Sequence, residues 1–89
     1  MEISPLYWKT WAQLGVARSF YGEADLAEEA LLKALELAPN NSNAHYYYSA
    51  YLSLDEEQRE QALISVRVAL DINPKNTAAR RLQQKLLIL

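Results

Sequence analysis

The chain has 89 residues, 51% of them apolar, with no cysteine, one histidine and a net charge of −2. That length bounds it to one domain, near the small end of what buries a self-sufficient core. The inventory excludes disulfides and thiol chemistry, argues against a zinc site of the usual nitrogen and sulfur type, and gives no general attraction to nucleic acid or to an anionic membrane.

Ala, Leu, Glu and Gln dominate against only two glycines and three prolines, a composition that favours helix. Pro5, Pro39 and Pro74 recur after 34 and then 35 residues. Each follows the end of a helical pattern and stops it, because proline lacks the amide and clashes with the preceding turn. Between them the pattern predicts helices over 6–20, 24–37, 42–54, 57–71 and 76–88. In the first, Trp11, Leu14, Gly15 and Arg18 fall on one face at i, i+3, i+4 and i+7. It turns at Tyr21-Gly22, where glycine accommodates positive φ. In the second, Ala27 and Ala34 flank Leu31 and present small residues to Gly15, which sets a short interaxial distance. The third repeats the first face 34 residues on, with His45, Tyr48, Ser49 and Leu52. Its exit, Asp55–Gln61, has no glycine and one extra residue; Asp55 and Gln58 read as a capping box for the fourth helix. There Ala62, Val66 and Ala69 stand in place of Ala27, Leu31 and Ala34. The fifth puts Arg80, Gln83 and Gln84 where earlier copies carry large apolar and small residues, as a terminal cap requires.

The spacing W-x2-L-G in Trp11–Gly15, followed by Ala27, Leu31, Ala34 and Pro39, resembles the tetratricopeptide repeat (TPR). The second copy is correctly spaced but weaker, departing at His45, and the first departs at Arg18. The resemblance implies an all-α TPR-type solenoid: two antiparallel helix pairs plus a fifth capping helix, in a right-handed superhelical arc. It divides the chain into a lead-in or remnant of an upstream repeat (1–7), repeat 1 (8–41), repeat 2 (42–76) and a capping helix (77–89). Because Met1–Pro5 matches the end of a repeat, the chain is expected to be the C-terminal part of a longer array.

Enzymatic readings fail on inventory. His45 falls on a packing face, as a hydrogen-bonded or packed histidine would, and no carboxylate shares that face to orient a triad with Ser42 or Ser49. The acids Glu28-Glu29 and Asp55-Glu56-Glu57 are explained by solvation and first-turn dipole complementarity. No glycine-rich phosphate loop occurs, and the basic stretch 76–88 has no aromatic residue for stacking nucleic acid. No apolar run approaches the roughly 18 to 20 residues that span a bilayer, and the N-terminus lacks the basic start and apolar core of an export signal. Hence no catalytic residue, cofactor or metal is expected, nor nucleic-acid or direct membrane contact.

What the resemblance implies instead is a non-catalytic protein–protein interaction module, an adaptor or assembly scaffold that holds a peptide in a concave groove. The groove face would carry Lys9, Ala12, Gln13, Val16 and Phe20 from the first helix. The third would add Asn43, Tyr46, Tyr47, Ala50 and Leu54, and the fifth Ala78, Arg81, Leu82 and Lys85. Tyr46 and Tyr47 are the strongest candidates. Neighbours on a helix diverge by about 100°, so both cannot point into the pair's own core and at least one should be exposed; the alternative is that both merely pack against the neighbouring first helices. Relatives that hold the C-terminal carboxylate of Hsp70 or Hsp90 use a clamp of lysines, asparagines and arginine. The matching positions, Ala12, Val16, Tyr47, Ala78 and Leu82, supply none of it. The expected ligand is apolar or aromatic with nearby acidic groups, selected by Lys9, Arg81 and Lys85, and bound no tighter than high micromolar.

Charge is unevenly spread: residues 1–58 hold nine acids and three bases, residues 59–89 two acids and six bases. This either orients an acidic partner, guides head-to-tail contact between copies, or is simply a solvated cap. With Leu86-Leu87-Ile88-Leu89 at the end, the alternative function is self-association, a homodimer through the apolar C-terminal helix. The compartment stays open, with cytoplasm slightly favoured and periplasm or organelle admitted for a domain excised from a longer protein.

Overall fold

The computed structural model describes residues 7–88. Within them the chain is all-α: α1 (Trp8–Phe20), α2 (Ala24–Leu37), α3 (Ser42–Leu52), a single 3-10 turn (Glu56–Gln58), α4 (Arg59–Ile72) and α5 (Thr77–Ile88). The helices pack as adjacent pairs, α1 on α2 and α3 on α4, with α5 against α4. The pairs join because α3 also meets α2 and α1, and α5 also meets α3.

The closest approach of the first pair is at Gly15. A Cβ built there would lie 2.6 Å from Leu31 Cγ and 3.1 Å from the Ala27 carbonyl oxygen. Only a residue without a side chain lets α1 sit this near α2. Opposite it, Ala27, Leu31 and Ala34 are buried, as are Ala62, Val66 and Ala69 in the second pair. Ser49 takes the place of Gly15 in α3, fully buried, and its hydroxyl donates to the Tyr46 carbonyl at 2.7 Å. A buried hydroxyl satisfied within its own helix is small enough for close packing and leaves no orphan donor. Gly22 takes φ 78° and turns the chain from α1 into α2.

The prolines mark two connections of the same construction. Asn41 caps α3 by accepting from Ala44 N at 3.1 Å, and Asn76 caps α5 by accepting from Ala79 N at 3.1 Å. His45 Nε2 lies 2.7 Å from the Pro39 carbonyl, while Arg80 Nη2 donates to the Pro74 carbonyl at 2.9 Å. His45 is thus tied to its own turn, as a structural histidine would be. Asn76 goes further than Asn41: its Nδ2 donates to Ser42 Oγ (2.8 Å) and to Asn43 Oδ1 (3.0 Å). Ser42 in turn donates to the Ala69 carbonyl at 2.7 Å. This chain of bonds fastens the ends of α3, α4 and α5 together with the polar groups paired.

Several expectations need correcting. Leu14, assigned to the packing face of α1, is 36% exposed, whereas Ala12 and Gly15 are buried. The helix is turned so that this i, i+3 pair, the smallest side chains available, meets its neighbours. The third helix ends at Leu52 rather than 54, and α4 starts at Arg59 rather than 57. The extra residue is absorbed by the 3-10 turn, whose Glu57 N donates to Asp55 Oδ1 at 3.0 Å, so Asp55 caps that turn and not α4. In α5, Leu86 is buried while Leu87 and Ile88 are exposed. The expected upstream remnant falls mostly on residues 1–6, and these, with Leu89, lie outside the described residues.

Candidate interaction surface

Helix α3 carries five aromatic or imidazole side chains in seven residues, His45–Tyr48 and Tyr51, and their directions divide as helical geometry demands. Tyr48 and Tyr51 stack at 6.2 Å between the two pairs. The Tyr51 hydroxyl donates to the Ala24 carbonyl at 3.1 Å and reaches Glu28 Oε1 at 3.4 Å. Burial first, and then the Glu28 carboxylate, push the pKa of both phenols above its usual value, and Tyr51 adds its bond to Glu28.

Tyr46 and Tyr47 turn the other way. Their rings touch at 5.6 Å, and Tyr47 meets Trp8 of α1 at 6.3 Å, both contacts tilted. Tyr47 and Trp8 pack against the core cluster of Ala12, Leu31 and Ala34, and Tyr46 against that of Leu52, Val66, Ala79 and Leu86. Each tyrosine rests on a different neighbour, yet all three rings stay partly exposed. The result is a run of aromatic surface, Trp8–Tyr47–Tyr46, across α1 and α3.

Around this run Lys9, Gln13 and Asn43 are exposed and Val16 and Ala50 half-buried. Asn43 is also held by Asn76. Ala12 is a correction: it is 0% exposed, covered because it sits where α1 meets both α2 and α3, and offers no surface to a ligand. Phe20 is exposed but stands 12 residues beyond Trp8, about 18 Å along the helix at ~1.5 Å per residue. It therefore does not join Tyr46 and Tyr47 in one patch. Arg81 and Ala78 are exposed on α5. Leu54, Leu82 and Lys85 come together, with Ser53, Leu86 and Ile88, around a cleft of about 380 Å³ between the ends of α3 and α5. A neighbouring cleft of about 390 Å³ is lined by Asp25, Glu28, Asp55, Tyr51 and again Leu54.

Sequence reasoning missed Trp8. It lies one turn before Ala12, and the i, i+4 rule applied to the face already chosen would have found it. Also missed was Arg59, whose Nε donates to the Leu86 carbonyl at 2.8 Å and whose Nη2 donates to the same oxygen. Nothing in the local pattern signals a contact spanning 27 residues.

Among the described residues, no group of three or more His, Cys, Asp or Glu is placed to hold a metal ion, and no helix is long and apolar enough to cross a membrane. Neither a scan against protein-family models nor a search of curated proteins finds a match to this chain.

Proposed function

We propose that the chain is a TPR-type repeat module that binds a peptide segment of another protein and performs no chemistry of its own. The reading is supported by the paired helices, the close approach at Gly15 and the two proline connections built alike. The observation that carries it is the half-exposed run Trp8–Tyr47–Tyr46. Aromatic rings packed on one side and wet on the other are rigid anchors that add apolar contact at little entropic cost. Lys9 and, on α5, Arg81 and Lys85 favour a ligand with acidic groups beside its apolar ones.

If each tyrosine has on the order of 50 Å² left to bury, the gain is about 1 kcal/mol apiece at ~25 cal/mol/Å². Affinity for a short peptide is then high micromolar or weaker, and tight binding requires further repeats or a second copy. Display selection of peptides on the chain, followed by titration, tests the proposal. Tyr47→Ala with Tyr46→Ala should weaken the selected peptide at least about tenfold while circular dichroism still reports the helices. Unchanged affinity in the folded variant would refute it.

A second reading, self-association through the end of α5, is favoured by Leu87 and Ile88, which are 64% and 81% exposed. Neighbouring apolar side chains left this bare on a small domain mark a contact surface.

A further inference from the structure

Phe20, Leu54 and Ile88 stand at intervals of 34 residues, Phe20 and Ile88 ending α1 and α5 and Leu54 two residues past the end of α3. They are 85%, 72% and 81% exposed. One bare apolar side chain is ordinary; three at the same repeated position make a ladder along one edge of the domain. Leu54 is its middle rung, shared by the two clefts on either side. Among the described residues, the cleft toward Phe20 is lined by Asp25, Glu28 and Asp55 and by no base. Among the described residues, the cleft toward Ile88 is lined by Lys85 and by no acidic side chain.

We infer that this edge is the contact between two copies of the chain, laid antiparallel about a two-fold axis at Leu54. An apolar row flanked by opposite charges complements itself when turned end for end. Leu54 then meets Leu54 of the second copy, Phe20 meets the other Ile88, and the acidic cleft meets the other Lys85. Such a contact is isologous: every pairing occurs twice and the interface closes. A basic peptide would occupy the acidic cleft alone and leave Ile88 and Lys85 unused. The second copy engages both ends. The inference rests on the self-association reading and names its surface: the ladder edge, of which the α5 terminus is one rung.

With Tyr21 beside it, 81% exposed, the ladder presents on the order of 500 Å² per copy, less than the ~800 Å² each partner buries in a standard interface. The dimer is accordingly weak, with Kd on the order of 100 µM.

Sedimentation equilibrium of the chain from about 5 µM to about 1 mM brackets that Kd. The unsubstituted chain is expected to dimerise. Leu54→Asp puts two carboxylates on the axis and should raise Kd at least about tenfold. Asp25→Lys or Lys85→Glu alone should raise it about threefold or more, and the two combined should restore it to within about twofold. All three positions are exposed, and circular dichroism reports whether each variant keeps its helices. A monomer at about 1 mM would overturn both this inference and the self-association reading. A dimer indifferent to Leu54→Asp but lost in Leu87→Ser would overturn the ladder and leave the α5 terminus as the contact. Failure of the charge swap to restore pairing would overturn the antiparallel arrangement.

Discussion

Asn76 Nδ2 donates to Ser42 Oγ at 2.8 Å, joining two residues 34 apart in the chain that open α5 and α3. The same side chain caps α5 through Ala79 N and reaches Asn43, while Ser42 passes the chain on to the Ala69 carbonyl. Among the described residues, Asn41, the corresponding cap of α3, makes only the bond to Ala44 N of these kinds.

The two caps should therefore differ in cost. Asn41→Ala removes one cap bond and should destabilise by about 1 kcal/mol. Asn76→Ala also strips bonds from a buried site and should cost about 2 to 3 kcal/mol. Urea denaturation of both variants measures the difference; equal losses would show that the bonds to Ser42 and Asn43 contribute nothing.

Gly15→Ala sets helix propensity against packing. Alanine is better than glycine in a helix by about 1 kcal/mol, but here its Cβ would meet buried Leu31 at 2.6 Å. Overpacking of this kind costs about 1 to 3 kcal/mol, so the net is a loss of about 1. Because Leu31 is the nearer obstacle and the Ala27 carbonyl oxygen at 3.1 Å the other, Gly15→Ala should cost less in a Leu31→Ala background than in the unsubstituted chain. A thermal-denaturation cycle over the four proteins reads that coupling directly.

Tyr48 and Tyr51 hold their protons more tightly when folded, through burial and the Glu28 carboxylate. A raised folded value means stability that is complete below pH 10.0, the unperturbed phenol, and is lost as pH climbs through the folded value. The double variant Tyr48→Phe, Tyr51→Phe should lose less stability than the unsubstituted chain between about pH 9 and pH 11.5. At neutral pH it should be less stable by about 1 kcal/mol, since the Ala24 carbonyl loses its donor. Urea midpoints at stepped pH check both signs.

Arg59 is the clasp of α5, donating from Nε and Nη2 to the Leu86 carbonyl. A cation at a helix C-terminus also opposes the partial negative charge of the last free carbonyls. Arg59→Ala should fray the last turn of α5 and cost about 1 kcal/mol. Amide exchange faster at Lys85–Ile88, with α1 and α2 unchanged, is the expected signature.

Much of this architecture is legible in the chain, because it is written in spacings. Proline stops, small residues at i, i+3 or i+7, and Gly22 at a turn each carry one local physical consequence, and the five helices follow to within two residues. The interhelical polar ties were not legible. Ser42, Asn76 and Arg59 are unremarkable until the fold brings together groups 27 or 34 residues apart. The surface was legible by half. A helical wheel places Tyr46 and Tyr47 off the core, but not how much of each is covered. It also treats Ala12 as surface, because it cannot know that α1 is rotated onto both α2 and α3.

The central question is whether a ligand docks across α1 and α3 beside Tyr46 and Tyr47. Amide chemical-shift mapping of a display-selected peptide on the folded chain decides it. The largest shifts are expected at Trp8, Lys9, Gln13, Tyr46, Tyr47 and Ala50. Shifts confined to Glu29, Leu32, Lys33 and Glu36, the residues of α2 that line a separate shallow cleft with Trp11, would contradict it.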